Sequence, residues 1–215
     1  IWKQCALHER SVCIFLLTWS RSKDRIGSSD SRDERKAQWR THSGGGGEPR
    51  KDGNSDLLCE RFIEGALEAG NIVEEVFLRE QVIGFCRACD YCRDRDGACA
   101  LRDAPHPCWT RWPRPTSSCW PRPCTSHDGA QMKVLIDRTV ARYATLANKE
   151  FYFIATMADG DKALMERTFE GLRGFTDCLP GAVERGVVCG AGAWAKGDIE
   201  GSPAMDEAYE MGLRA

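Results

Sequence analysis

The sequence predicts an α/β fold, a parallel sheet wrapped on both faces by helices. Two patterns and one size argument carry that expectation. Short apolar runs of strand length alternate with amphipathic runs of helix length, the order that makes β-α-β crossovers. One run, Phe151-Tyr-Phe-Ile-Ala-Thr156, is apolar almost end to end, as a strand buried on both faces must be. With 215 residues and a mass of 24.0 kDa, the chain has the size of one ordinary domain.

In chain order, residues 1–48 read as a Ser/Arg/Asp-rich tail, disordered or out of frame, and residues 49–215 as the domain. Asn54 or Ser55 caps a helix reaching about Ala69. Leu58, Cys59, Phe62, Ile63, Ala66 and Leu67 share its apolar face, and Gly70 stops it. Ile72 to Leu78 has the β-branched character of a strand, and a cysteine-bearing loop follows. Ala130 to about Leu146 is a helix burying Met132, Leu135, Ile136 and Val140. After the strand at 151–156, Ala163 to Phe175 is amphipathic through Leu164, Met165, Thr168, Phe169, Leu172 and Phe175. Gly186-Val-Val-Cys-Gly190 is a short strand, and Pro203 to Met211 is a last helix opened by its proline.

Composition excludes several classes. Charged residues at 29% and hydrophobic ones at 42% suit a globular chain. Thirty Lys and Arg against 32 Asp and Glu give a net charge of −2, with no basic excess to hold nucleic acid or an anionic membrane. The run Val12 to Leu17 is far shorter than the ~20 residues of a bilayer span. Ile1 to Leu17 has neither the basic start nor the small-residue cleavage site of a signal peptide. The 12 cysteines are clustered rather than evenly spread, so a reducing, cytoplasmic setting is expected.

Residues 104–126 break the pattern. They hold three of the seven Trp and six of the nine Pro, with no acidic residue and no Leu, Ile or Val. A Pro-rich linker is one reading, although exposed Trp gains nothing from water. The other is an out-of-frame stretch. Trp, Cys and Pro codons leave little freedom, so reading Cys108 to Ser126 one base earlier forces Ala at Trp112–Pro113 and at Trp120–Pro121, and Leu at Cys108–Trp109. The shifted line permits L-L-D-K-M-A-E-A-D-V-I-V-L-A-T-P-V-Y-F, a helix end, a buried strand and a Thr-Pro-Val-Tyr loop. Reading His42 to Pro49 one base later permits I-L-V-V-V-G-S-P, and the chain opens at Ile1 without Met. On this reading the sheet is incomplete in the chain as written, its first and third strands being out of frame, and restoring them brings the count to five.

Three segments carry chemistry. Pro49-Arg-Lys-Asp-Gly-Asn-Ser55 precedes a helix, so a turn there aims backbone N–H groups and the positive helix end at an anion, with Arg50, Asn54 and Ser55 as side-chain donors. A plain N-cap is the bland alternative, and no Gly-Lys-Ser/Thr makes it a Walker loop. Cys86-x2-Cys89-x2-Cys92-x6-Cys99 is the most specific signal: four close thiols that can hold an iron–sulfur cluster, with zinc, redox-active thiols or inert clustering as rivals. Met157-Ala-Asp-Gly160 and Gly190-Ala-Gly-Ala-Trp194 end strands at their carboxyl side, where open α/β sheets bind ligands. Cys59, Cys178 and Cys189 read as core residues. His8, His42, His106 and His127 form no cluster, and no catalytic side chain stands out.

Together, the 49–55 turn, the cysteine loop, Gly129-Ala-Gln-Met-Lys-Val-Leu-Ile-Asp-Arg138 and Gly190-Ala-Gly-Ala-Trp194 resemble the NADPH-dependent FMN reductase family, within it the iron–sulfur flavoprotein branch, over roughly 155 residues. The resemblance implies a flavodoxin-like three-layer sandwich binding FMN, with Pro49, Arg50, Asn54, Ser55, Ala158, Asp159 and Gly160 at the cofactor. It implies a [4Fe–4S] cluster on Cys86, Cys89, Cys92 and Cys99, NAD(P)H or a redox protein as partner, and a homo-oligomer. Such a protein is an oxidoreductase passing electrons between a reduced donor, FMN and the cluster, by placement and tuning rather than side-chain acid–base work. A non-enzymatic electron carrier and a non-functional translation of a damaged gene are the alternatives. Two departures stand out: Gly47-Glu-Pro-Arg50 puts a carboxylate where the family has Gly-Ser-Pro-Arg, and the Thr-Pro-Val-Tyr loop exists only after the shift. Sequencing the gene tests the frame reading: one inserted or deleted base is expected near codon 107 and another near codon 49, and an intact open frame with neither rules it out.

Overall fold

The computed structural model describes residues 15–19, 52–76, 78–103, 117–123, 130–143 and 146–215. Its elements are β1 (Phe15–Trp19), α1 (Asn54–Glu68), β2 (Ile72–Val76), β3 (Ser117–Pro123), α2 (Ala130–Arg138), β4 (Glu150–Thr156), α3 (Glu166–Thr176), β5 (Val183–Gly190) and α4 (Pro203–Leu213). The fold is α/β. The strands form one sheet in the order β2-β1-β3-β4-β5. β3, β4 and β5 run parallel, joined by the crossovers through α2 and α3 that parallel neighbours require.

The sheet differs from the expected all-parallel, incomplete one. β1 pairs antiparallel with both β2 and β3. The strand count is already five in the chain as written, because β1 lies inside the 1–48 tail and β3 inside the 104–126 stretch. Ladder pairing joins backbone groups of almost any residue, so a sequence poor in apolar side chains can still supply a strand. β3 falls where the shifted reading also puts a strand. Its Pro121 and Pro123 come after Cys119, the last residue paired with β1, so their missing N–H groups remove nothing from the β1–β3 ladder.

β4 organises the rest. Phe151, Phe153 and Ala155 point to one side, where they meet α2, α3 and the turn before α3 through Met132, Leu135, Met165, Phe169, Leu172 and Phe175. Tyr152 and Ile154 point to the other, against Leu58, Cys59 and Phe62 of α1 and Ala208 and Met211 of α4. Phe62 meets Tyr152 with ring centroids 5.3 Å apart, and Phe151 meets Phe175 edge-on at 6.3 Å. All six residues from Phe151 to Thr156 are buried, as their unbroken apolar run requires.

Several finer expectations shift. α2 stops at Arg138 and continues as a 3-10 turn over Thr139–Ala141, whose tighter period swings Val140 outward to 54% exposure. A 3-10 turn over Lys162–Met165 does the same to Leu164. Leu67 in the last turn of α1 is exposed, and so is Cys178, which lies past the end of α3. Cys59 is buried as expected, and Cys189 is half-buried near Met165. Among the described residues no helix is long and apolar enough to cross a membrane.

α1 and α4 cross so closely that their backbones nearly touch. A Cβ on Gly65 would sit 2.2 Å from the Tyr209 carbonyl oxygen, and one on Gly212 would sit 2.1 Å from that of Phe62. The crossing is tied at its edges by Tyr209 Oη donating to Glu68 at 2.5 Å and Asn71 Nδ2 donating to the Ala215 carbonyl at 3.0 Å. Gly65→Ala therefore forces the helices apart. A loss of about 1–3 kcal/mol is expected in urea unfolding, although alanine is the better helix former. A neutral or stabilising Gly65→Ala would show that the helices do not cross this tightly.

Candidate functional site

The carboxyl ends of the parallel strands lie level, Pro123 opposite Thr156 and Thr156 opposite Gly190. The first turn of α1 is set against this edge. Ser55 Oγ and Thr156 Oγ1 are 2.6 Å apart, both buried, so the helix start is pinned to the end of β4. Asn54, 2% exposed, reaches across to the loop after β5. Its Nδ2 donates to the Ala195 carbonyl at 2.8 Å and the Ala193 carbonyl at 3.3 Å, and its Oδ1 accepts from Gly197 N at 2.9 Å and Ile199 N at 3.4 Å. One amide thus exhausts its donors and acceptors folding the 193–199 loop over the helix start.

This corrects one expectation. Asn54 and Ser55 were expected to offer side-chain donors to a phosphate, yet both side chains are spent inside the protein. They build the edge rather than reach out from it. The cap is Gly53, in extended conformation, and Asp52 before it is left-handed at φ 58°. Asp56 folds back, its Oδ2 accepting from Asp52 N at 3.0 Å and from Arg79 Nη1 at 3.1 Å, so a buried acid in the first turn is balanced by a cation. Lys196 Nζ stands 3.3 Å from Asp52, a second cation at the same end. What this helix start has for an anion is backbone N–H and the helix dipole. Pro49 and Arg50 lie outside the described residues.

The loops after β4 and β5 are laced together. Met157 N donates to the Gly190 carbonyl at 3.0 Å, Ala193 N to that of Met157 at 2.9 Å, and Gly192 N to that of Asp159 at 2.7 Å. Ala158 is half-buried, and Asp159 and Gly160 are exposed on the rim. The Asp159 carboxylate turns back to accept from Asp161 N at 2.9 Å. A Cβ on Gly160 or on Gly192 would meet nothing within 4 Å, so open space lies over both loops. The predicted segments 54–55, 157–160 and 190–194 therefore come together at one edge.

The cysteine loop lies against α2 and the following 3-10 turn. Cys86 and Cys89 are exposed, and Cys92 and Cys99 are half-buried. Among the described residues no three Cys, His, Asp or Glu side chains are gathered closely enough to hold one metal ion. The donor set suits a thiolate centre, but the loop as folded does not gather it. The loop carries left-handed residues at Ala88, Asp90, Asp96 and Gly97, with φ of 48°, 54°, 48° and 72°. At Gly97 glycine is required, since a Cβ there would lie 2.2 Å from the Ala141 carbonyl oxygen.

The residue that fixes this loop is Arg138, which the sequence reading did not single out as a functional residue. It is 2% exposed in the last turn of α2. Its guanidinium grips Asp103 with two N–H groups at 2.8 and 2.9 Å, donates to the Gly84 carbonyl at 2.7 Å and reaches Cys99 Sγ at 3.4 Å. Asp103 Oδ2 also accepts from Gly84 N at 2.7 Å. The only sequence signal was an Arg late in a helix, where a cation suits the dipole in any case.

No family model, curated protein or solved structure matches the chain.

The Arg138 hydrogen bonds hold the Asp103 carboxyl below its ordinary 3.8, against a smaller opposing effect of burial. Because the folded pKa is the lower one, the pair's contribution is complete above about pH 4 and disappears as pH falls through the folded value. Asp103→Asn removes that acid limb and strands a buried cation, at a cost of about 3–5 kcal/mol. Urea midpoints from pH 7 to pH 2 check both points. A variant that loses stability in parallel with the native chain across the whole acid range would show that Asp103 is not the group responsible.

Proposed function

We propose that the chain is an FMN-binding oxidoreductase of flavodoxin-like fold, akin to the NADPH-dependent FMN reductases, reduced by a nicotinamide donor or a redox protein. The carrying observation is the convergence of the α1 helix start with the loops after β4 and β5 at the carboxyl edge of the parallel strands. The strand order 2-1-3-4-5 is the doubly wound order of that fold class, which supports the reading. The antiparallel run of β1 is its departure.

Each part of the edge has a task on this reading. The first-turn backbone of α1 holds the terminal phosphate, and Asn54 and Ser55 keep that turn fixed against β5 and β4. Ala158, Asp159 and Gly160 line the rim beside the ring, where the absence of bulk at Gly160 leaves room for a flat face. When bound, flavin accepts a hydride and releases electrons singly; the residues described here supply orientation and exclusion of water, and none acts as acid or base. The four cysteines remain candidate ligands of a [4Fe–4S] cluster, for which the 86–99 loop must close. Assembly as a homo-oligomer belongs to the same reading.

Comparing FMN with riboflavin tests the phosphate assignment, using quenching of flavin fluorescence with the full chain and with a frame-restored version. FMN is expected to bind at least about tenfold more tightly than riboflavin, a difference of about 1.4 kcal/mol for the phosphate. Equal affinities, or no binding by either chain, reject the reading. Binding by the frame-restored chain alone makes the chain as written a damaged member of the family.

A further inference from the structure

We propose that Val82, Phe85 and the 86–100 loop, in the conformation described, form the surface on which a second copy of the chain docks about a two-fold axis. The inference gives a place to the homo-oligomer of the reading above, and it needs neither flavin nor metal.

The apolar residues point to a partner. Val82 is 82% exposed and Phe85 76%, the highest values among the large apolar side chains described. Ile83 between them packs on the core instead. Val140 and Tyr143, both about half exposed, lie on the turn that carries this loop. Two contacts bring these residues to one end of the molecule. Arg138 Nη1 donates to the Gly84 carbonyl at 2.7 Å, which sets Phe85 beside the end of α2. Gly97 meets the carbonyl of Ala141, which lies between Val140 and Tyr143. Single exposed apolar residues are ordinary, but four gathered at one end mark an interface.

Shape and charge say what docks. Two residues past Phe85 begins the lining of a hollow of about 420 Å3, formed by Arg87, Cys89, Tyr91, Arg95 and Ala100. The Arg95 guanidinium lies 4.0 Å from the centroid of the Tyr91 ring, so aromatic and cation form one wall. The same loop thus offers an aromatic knob and a hollow with room for it, the self-complementary pair that a two-fold interface requires. The exposed charges from 87 to 102 are Arg87, Arg93, Arg95 and Arg102 against Asp90, Asp94 and Asp96. A uniformly acidic or basic partner sets like charge against about half of them, whereas a copy turned by half a rotation can meet each sign with the other. The surface is also stiff. Gly84 N donates to Asp103 at 2.7 Å, and Arg138 holds both residues, so little is left to order on docking.

The experiment is light scattering behind gel filtration on reduced full-length protein, so that no disulfide links the copies. The native chain is expected to run as a dimer at about 10 μM. Phe85→Asp and Val82→Asp are each expected to weaken the dimer at least about 30-fold. Ala100→Trp, which fills the hollow and leaves Phe85 in place, is expected to do the same. Leu67→Asp alters an exposed apolar residue of α1 instead and is expected to leave the mass unchanged. All four positions are exposed, so circular dichroism is expected to match the native chain. A monomeric native chain, or a dimer unmoved by Phe85→Asp, overturns the proposal. So does a mass that climbs past the dimer with concentration, since knob and hollow then join in an open series. Mass alone decides here. Failure to bind flavin rejects the function above without touching this surface, and a monomer that binds FMN overturns this surface and leaves the flavin assignment standing.

Discussion

Burial of β4 on both faces is the constraint from which the architecture follows. A strand whose six residues from Phe151 to Thr156 all leave water must have a neighbour on each edge and a helical layer on each side. Alternation of side chains then divides the core in two, with Phe151, Phe153 and Ala155 facing α2 and α3, and Tyr152 and Ile154 facing α1 and α4. The crossovers β3-α2-β4 and β4-α3-β5 keep these strands parallel, so their carboxyl ends arrive together. The candidate site is a consequence of that alignment.

The helix start at Asn54 is built into the edge by the same packing. The glycine crossing of α1 on α4 lets the two helices lie close over Tyr152 and Ile154, and Ser55 is thereby brought to Thr156. Asn54 then does what no apolar residue could, satisfying two carbonyls and two amides of the 193–199 loop at once. A polar residue that reads as a ligand contact serves here to hold the 193–199 loop against the helix start.

The cysteine loop obeys a different logic. It has no strand partners, and its anchor is electrostatic: Arg138 paired with Asp103 over the loop's two ends. A buried ion pair of this kind is weak as a source of net stability but strict about geometry, because either partner left alone is costly. That strictness is confined to the Gly84, Cys99 and Asp103 side of the loop, while Cys86 and Cys89 face solvent.

By itself the sequence determined the local features. The helix at Asn54, the doubly buried run at 151–156 and the last helix opened by Pro203 follow from periodicity, capping and unbroken apolarity, all short-range properties. The candidate edge was legible too, since turns after strands and before helices mark it without knowledge of packing. Tertiary structure alone decided the rest. The strand at Ser117–Pro123 and the antiparallel run of β1 depend on backbone pairing that side-chain pattern does not encode. The inward use of Asn54 and Ser55, and the hold of Arg138 on Cys99, join residues 139, 101 and 39 positions apart in the chain. Hydrogen bonds that span such separations exist only after the chain has folded, so no local pattern can announce them.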